Sequence, residues 1–254
     1  MIATAARKAS KVAVLPAGAA TRRRNGDVVI LLYHRVGRGP GEIELPADLF
    51  EAQLQHLAMT GHVRSLEDAL DDDRGGIVLT FDDGTPDFAS TVVPLLVRYG
   101  LPATLYLATG LADGPDGLTW RELADARASG LVTVGSHTHS HADLSKADPA
   151  TCEEEMRRSK ELIEDRLGVA CRHFAYPWAV GSAVADAVAR RTFDTAALEA
   201  WRTNRRGRTD PWRLGRTPVL RSDGLAFFRA KTAGLLDGEA LLYRALRRGP
   251  WRRT

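Results

Sequence analysis

The sequence contains no long hydrophobic run and only two cysteines among its 254 residues. No apolar stretch approaches the roughly 18 residues that a membrane-spanning helix needs, so no transmembrane segment is predicted. Cys152 and Cys171 are too few for a disulfide framework, and they form no Cys-x-x-Cys metal motif. Free thiols suit a reducing compartment, so we expect a cytoplasmic protein, with a peripheral membrane or a secreted location as the alternatives.

Acidic residues are scarce at both ends of the chain. Residues 1–25 carry six basic side chains and no acidic one, and residues 201–254 carry 14 Lys and Arg against four Asp and Glu. Such ends could make peripheral contact with an anionic membrane or a lipid carrier, although solvated arginines are the plainer interpretation. The basic stretches lack the interleaved aromatic residues of nucleic-acid binding motifs, and no nucleic acid partner is expected.

The composition divides the chain into three parts. Residues 1–26 combine small and basic residues without hydrophobic periodicity, which predicts a flexible N-terminal extension. Residues 27–236 contain the apolar segments of one large domain, and residues 237–254 form a basic C-terminal tail. With 44% hydrophobic and 26% charged residues, the chain can bury a sizeable core.

Hydrophobic patterning predicts seven strands that alternate with helices. The strands are expected at residues 28–34, 76–81, 102–108, 131–136, 173–176, 193–198 and 217–221. The helices are expected at residues 48–59, 66–70, 86–99, 120–129, 149–167 and 183–190, with a last helix after Asp223. Pro94 should kink or shorten the helix that contains it. This order predicts a parallel, barrel-like α/β domain.

Two adjacent carboxylates, Asp82 and Asp83, follow the second predicted strand. The residues before them are apolar or β-branched, which is typical of a strand buried on both faces. Two acids inside such a strand would be costly, so they belong at its C-terminal end, where α/β folds place their chemistry. An ordinary Asp-Asp-Gly turn is the alternative interpretation.

Three of the seven histidines lie within five residues, directly after the fourth predicted strand. Packing alone explains such a cluster poorly, because each imidazole needs partners for its ring nitrogens. His137 and His141 are four residues apart and could converge on one ion if the segment turns like a helix. With one aspartate they would form a metal site of two imidazoles and one carboxylate.

The segments Thr80–Gly84 and Ser136–His141 together resemble the first two motifs of the NodB-homology polysaccharide deacetylases, carbohydrate esterase family 4. The resemblance spans roughly residues 28 to 234. It implies a distorted (β/α)7-type barrel that is open on one side. It also implies that Asp82 is a general base and that Asp83, His137 and His141 hold one divalent metal ion. Zinc suits these ligands best, and cobalt, nickel or iron would also fit.

The resemblance implies a metal-dependent hydrolase that removes N-acetyl groups from amino sugars. The substrate would be an N-acetylated carbohydrate in a polysaccharide, a lipid-linked intermediate or a small glycoside. The reaction would be attack by a water on the metal, with Asp82 accepting its proton. Two alternatives remain open: a carbohydrate-binding pseudoenzyme that keeps the metal site, and a metal-dependent hydrolase of a non-sugar amide.

The segment Arg172–Trp178 resembles a third family motif, which lines the substrate groove and supplies a backbone N–H to the oxyanion. Tyr176 and Trp178 are therefore the candidate groove residues, with core packing as the alternative. The arginine that steadies the catalytic aspartate in the family is replaced here by Ala175.

The family also carries a late histidine that protonates the leaving amine, whereas this chain has no histidine after His173. His34 follows the first predicted strand. Because the C-terminal ends of all strands in a parallel barrel open onto one rim, His34 is the candidate acid.

Overall fold

Seven parallel strands form a closed barrel in the computed structural model, which describes residues 22–37, 39–237 and 239. The barrel strands are β1 (Val28–Tyr33), β4 (Gly76–Asp83), β5 (Ala103–Leu107), β6 (Val132–Ser136), β7 (His173–Ala175), β8 (Thr195–Glu199) and β9 (Leu214–Pro218). They pair in this order, and β9 returns to β1. Two short strands, β2 (Arg35–Val36) and β3 (Glu44–Leu45), form a separate parallel pair after β1.

The helices connect successive strands and cover the outside of the barrel. They are α1 (Ala47–Thr60), α2 (Leu66–Asp71), α3 (Val93–Tyr99), α4 (Trp120–Ala128), α5 (Pro149–Leu167), α6 (Ala183–Thr192) and α7 (Gly224–Thr232). Several begin at side-chain caps that the sequence offers: Ser65 caps α2, Thr119 forms a capping box with Glu122 at α4, and Asp148 caps α5.

Pro94 has the predicted effect on the helix that contains it. The chain makes a π-helical turn over Phe88–Val92, and the α-helix begins only at Val93, with the proline in its first turn. A proline in the first turn removes no intrahelical hydrogen bond, because that N–H has no intrahelical partner.

Apolar side chains fill both the inside of the barrel and the layer between strands and helices. The inner cluster is small and includes Ile30, Val78, Ala175, Ala197 and Leu214. The outer cluster is larger, because strands buried on both faces present every second residue to the helices.

The closed barrel corrects the expectation of a barrel open on one side. Three residues of β1, Ile30 to Leu32, pair with Arg216 to Pro218 of β9. The weakest junction lies elsewhere, between β6 and β7, where only Ser136 and Phe174 pair. The barrel is therefore distorted at one junction without being open.

The last barrel strand also differs from its predicted position. It was expected at residues 217–221, and it spans Leu214–Pro218. Gly215 and Arg216 interrupt the hydrophobic pattern there, although both residues are buried. Asp223 stands before α7 as expected, but its carboxylate accepts bonds from the Leu220 N–H and from Lys231 instead of capping the helix.

Most of the predicted N-terminal extension and C-terminal tail lies outside the described residues, which begin at Arg22 and end at Asp237, with Glu239 beyond. Over the part of the chain that the structure describes, none of the helices has the length and apolar character needed to cross a membrane.

Candidate active site

Three side chains converge at the C-terminal rim of the barrel. Asp83 ends β4, and His137 and His141 follow β6; one ligand atom from each lies within 4.8 Å of the others. The Nε2 atom of His141 is 3.3 Å from Asp83 Oδ1, and the Nε2 atom of His137 is 3.7 Å from the same oxygen. These are the three residues for which the sequence predicts metal binding, and the structure brings them together.

The local hydrogen bonding of these residues fits a divalent cation. Asp83 Oδ1 is buried and has no hydrogen-bond partner among the described residues, which is costly unless another group compensates it. His137 Nδ1 lies 2.8 Å from the carbonyl oxygen of Ala175. A carbonyl only accepts, so Nδ1 carries the proton and the lone pair of Nε2 points to the site.

Backbone conformation directs the two neighbouring aspartates to one place. Successive residues of a strand point to opposite faces, so Asp83 would normally point away from Asp82. Asp83 instead adopts a left-handed φ of 75°, at the point where β4 ends. Strained backbone of this kind is typical of functional sites and persists only when the surroundings hold it.

The loop that carries the two histidines is fastened to α5. Thr138 and His141 have positive φ values of 67° and 60°. The carboxylate of Glu155 on α5 accepts the backbone N–H groups of His139 and Ser140 at 2.9 and 2.7 Å, and also the Ser140 hydroxyl at 2.7 Å. One side chain thus satisfies three donors between the two metal-ligand candidates.

His139 lies between the two ligand candidates in sequence, but its ring contacts a different segment. Its Nδ1 lies 2.9 Å from the Thr109 hydroxyl, and its carbonyl accepts the Gly110 N–H at 2.7 Å. These contacts tie the loop to the segment after β5, so His139 serves the loop and not the ligand set.

Asp82 is buried and paired with an arginine from the other end of the chain. Arg216 on β9 donates from Nη1 to Oδ1 at 2.5 Å and from Nη2 to Oδ2 at 2.8 Å, with both side chains at most 3% exposed. Burial alone would raise the pKa of Asp82, but the charges of Arg216, His137 and His34 outweigh it and hold the pKa below its ordinary value. Asp82 is therefore ionised at neutral pH.

The ring of Tyr106 on β5 packs against the Arg216 guanidinium of this pair. The guanidinium carbon of Arg216 lies 5.1 Å from the centre of the Tyr106 ring, within the range of a cation–π contact. Gly135 on β6 leaves space for the ring, because a Cβ there would approach it to 2.9 Å.

The protonation states of Asp83 and His137 also suit metal binding. Burial raises the pKa of Asp83, yet the imidazoles of His141 and His137 bring it well below the ordinary range. Burial lowers the pKa of His137, against the opposing effect of the two aspartates. An ionised carboxylate and a neutral imidazole are the forms that ligate a metal.

His34 directly follows β1 and is half-buried at the same rim. Burial raises the pKa values of Asp82 and Asp83 most strongly, and a positive charge on His34 is one of the influences that lower both. This imidazole therefore lies near the two carboxylates, and its role as the acid stays a prediction.

The two candidate groove residues differ in placement. Trp178 is 66% exposed, its ring lies 4.9 Å from that of His141, and its Nε1 donates to the His141 carbonyl. Tyr176 is 2% exposed, and its hydroxyl donates to Asp186 at 2.8 Å, within the core between β7 and α6. The Tyr176 backbone N–H donates a hydrogen bond to the Ala197 carbonyl. The structure thus corrects the expectation for Tyr176, whose ring packs in the core and lines no groove.

Sequence reasoning missed Arg216. Ala175 stands in place of the family's arginine, and the arginine that pairs with Asp82 lies 134 residues beyond it in sequence. One sequence feature could have indicated it: Arg216 is a lone arginine among apolar and β-branched residues of Leu214–Pro218. The strand was predicted at residues 217–221 instead, so Arg216 was not placed in it.

Parts of the chain are similar in sequence to known proteins. The polysaccharide deacetylase family model matches residues 69–193. The chitooligosaccharide deacetylase of Rhizobium leguminosarum bv. trifolii is 34% identical over 99 residues, which are 38% of this chain and 43% of the relative. Bacillus subtilis YxkH is 26% identical over 156 residues, 58% of this chain and 55% of the relative. The chain spans about half the length of these curated relatives.

Solved structures show the same fold. The Streptococcus pyogenes deacetylase PplD, in complex with acetate, has a TM-score of 0.76 at 24% identity, over 82% of this chain and 99% of that chain. IcaB from Ammonifex degensii has a TM-score of 0.74 at 23% identity, over 84% of this chain and 98% of that chain.

The matched segment of the family model contains the Asp82-Asp83 pair, the histidine loop and Trp178, whereas His34 and Arg216 lie outside it. Motifs, segment and barrel agree: the chain belongs to the NodB-homology polysaccharide deacetylases, carbohydrate esterase family 4.

Proposed function

We propose that this protein is a metal-dependent hydrolase that removes N-acetyl groups from amino sugars. The observation that carries the proposal is the convergence of Asp83, His137 and His141 beside a buried, arginine-paired Asp82. Two similar curated proteins are chitooligosaccharide deacetylases, which supports an N-acetylated carbohydrate as the substrate class.

A divalent cation would be held by Asp83 Oδ1 and by the Nε2 atoms of His137 and His141. Zinc suits this mixed nitrogen and oxygen set best. When bound, such a cation polarises a carbonyl oxygen and makes a water more acidic.

Asp82 accepts the proton of the attacking water in this proposal. Arg216 engages both of its oxygens, which fixes the plane of the carboxylate and keeps it ionised. Its Oδ2 atom is 3.6 Å from His137 Nε2, so this oxygen borders the ligand set. General base catalysis by such a group typically contributes about 10²–10⁴-fold to the rate.

His34 donates a proton to the leaving amine. It lies at the end of β1, beside β4, on the rim where the carboxylates are. Trp178 offers its exposed indole beside His141 as an apolar surface for a sugar ring.

Acetate release from N-acetylglucosamine oligomers, with and without a chelator, tests this function. We expect release by the wild type, loss on chelation and recovery when zinc is added. Asp82→Asn should retain the metal and lose about 10²–10⁴-fold in turnover, because it removes a base and not a ligand. Full activity of Asp82→Asn would contradict the assignment of the base. A protein that binds metal and sugar but releases no acetate would be a pseudoenzyme.

A further inference from the structure

A cavity of about 360 Å³ opens at the N-terminal end of the barrel, opposite the candidate active site. Its lining consists of Arg24, Asp27, Arg205, Arg206 and Arg208. Four guanidinium groups and one carboxylate therefore face one space. None of the candidate catalytic or metal-binding residues contributes to it.

The arginines come from two distant segments that the barrel brings together. One contributes Arg24, just before β1, and the other contributes three arginines between β8 and β9. Asn204 fastens the second segment to the barrel base. Its N–H donates to the Val28 carbonyl at 2.8 Å, and its side chain exchanges two hydrogen bonds with the backbone of Gly215.

The turn after Asn204 is itself held in shape. Arg205 N–H donates to the Thr209 hydroxyl at 2.8 Å, and the Thr209 N–H donates back to the Arg205 carbonyl at 2.9 Å. The backbone that presents these arginines is thus preorganised, which reduces the entropy cost of binding a ligand there.

The acidic groups near the cavity, Asp27, Asp73 and Asp237, are one fewer than its four arginines. The Asp27 carboxylate accepts the Arg24 backbone N–H at 2.8 Å and also the Arg205 guanidinium. Arg206 pairs with Asp73 at 2.5 Å. Within the described ranges, the guanidiniums of Arg24 and Arg208 have no carboxylate partner. The cavity therefore keeps an excess of positive charge.

We propose that this cavity binds a phosphate group. Guanidinium forks match the oxygens of a phosphate and donate several charge-assisted hydrogen bonds to it at once. A volume near 360 Å³ lies at the lower end of the range for small-molecule sites, so a phosphate with an attached organic group would fit. The same chemistry occurs in a phosphate-bearing lipid headgroup and in a soluble phosphate compound.

The position of the cavity separates it from acetyl hydrolysis. It lies at the start of β1, whereas His34, Asp83 and His137 lie at the C-terminal ends of β1, β4 and β6. Changes in the cavity should therefore leave acetate release from a small soluble sugar unchanged, whichever substrate the active site takes.

Calorimetric titration of the full chain with pyrophosphate, at about 0.15 M ionic strength, tests the proposal. The Arg24→Gln/Arg208→Gln variant removes two exposed guanidiniums from the cavity. The matched control, Arg121→Gln/Arg127→Gln, removes the same charge from the exposed face of α4. We expect the cavity variant to bind at least about tenfold more weakly, since each lost charge-assisted bond contributes that much. The control should stay within about twofold of the wild type.

Vesicles of phosphatidylcholine, with and without phosphatidic acid, identify the source of the phosphate. Co-sedimentation that requires phosphatidic acid and is lost in the cavity variant supports a lipid headgroup. Pyrophosphate binding without vesicle binding supports a soluble phosphate compound. The proposal is overturned if the wild type binds neither probe, or if the control loses as much affinity as the cavity variant.

Discussion

Asp82 and Asp83 are neighbours in sequence but have opposite surroundings. The oxygens of Asp82 are both engaged by Arg216, whereas Asp83 Oδ1 has no hydrogen-bond partner among the described residues. The first arrangement holds a carboxylate ionised and fixed, as a base requires, and the second leaves an oxygen for a cation. The two proposed roles, base and metal ligand, thus fall on neighbouring residues, and the second of them, Asp83, is left-handed.

Replacing Arg216 by methionine should change both acid–base behaviour and stability. Arg216 lowers the pKa of Asp82 against the effect of burial, so without it burial raises that pKa. A base with a raised pKa is protonated at higher pH, and the acidic limb of the pH–rate profile should move upward. Removing one partner of a buried pair typically costs about 3–5 kcal/mol, which denaturant unfolding would measure.

Arg216→Lys is the matched control for this substitution. It keeps the charge near Asp82 but loses the two-point contact, so we expect a smaller shift of the acidic limb. An Arg216→Met variant with the wild-type profile and wild-type metal content would show that Asp82 is held ionised by other groups.

His137→Ala should lose more metal affinity than His139→Ala, which removes a contact of the loop but no ligand atom. His137 offers Nε2 to the ligand set, while the ring of His139 contacts Thr109. Even the loss of a group that only orients a ligand costs about 10–100-fold in metal affinity, so loss of a ligand should cost at least that. Zinc titration of the two purified variants would measure the difference. Equal affinities would contradict the ligand assignment.

The residues of this site that could be predicted are those that lie in contiguous motifs. Asp82 and Asp83 end β4, and His137 and His141 lie in the loop after β6, so residue type and position indicate the chemistry. Arg216 lies alone in a distant strand, and no local pattern links it to Asp82. The assignment of Tyr176 failed because an aromatic residue after a strand suits a core as well as a groove.

At the scale of elements, α5 does more than cover the barrel. Its residue Glu155 holds the backbone of His139 and Ser140, in a loop that contains two left-handed residues. A loop with strained conformations needs such external contacts to keep its shape. The helix therefore positions the candidate metal ligands through one side chain.

Glu155→Gln should lower zinc affinity by about 10–100-fold, because the amide replaces one accepting oxygen with a donor. Glu154→Gln is the matched control, since Glu154 lies on the same helix and its carboxylate forms an ion pair with the exposed Arg157. Calorimetric zinc titration and thermal unfolding of both variants check the prediction. If both variants bind zinc equally, Glu155 has no part in positioning the ligands.

The bounds of elements that are set by neighbouring residues were predicted closely. The bounds and pairing of elements that depend on distant parts of the chain were not. The bounds of α5, Pro149–Leu167, follow from a capping aspartate, a proline in the first turn and a terminal glycine. Closure between β1 and β9 depends on pairing between the two ends of the domain, which periodicity does not report. The same is true of β9 itself, where a buried arginine resembles a loop residue in sequence.

At the scale of the molecule, the barrel has two chemically different ends. Strand ends of β1, β4 and β6 bring imidazoles and carboxylates to one rim, and the arginine-lined cavity lies at the other. A closed parallel barrel fixes this separation, since all strands share one direction. Residues that are far apart in sequence thus act together at either end.

Barrel closure sets the position of His34 at the rim. Tyr33, its neighbour, pairs with Phe81 on β4, while Leu32 pairs with Pro218 on β9. The imidazole therefore leaves β1 between the strands that carry Asp82 and Arg216. No other histidine of the described chain, apart from the loop after β6, stands at this rim. His173 lies at the start of β7, bonded to Glu67 and Thr195.

His34→Gln should retain metal and lose about 10²-fold or more in turnover, as expected when a general acid is removed. An acid must be protonated to act, so its deprotonation produces the alkaline limb of a pH–rate profile, and that limb should disappear in the variant. Zinc titration separates this outcome from a loss of metal. Acetate release measured across pH on both proteins decides the role of His34, because a variant that keeps the full bell-shaped profile at a near-normal rate would require another residue to protonate the amine.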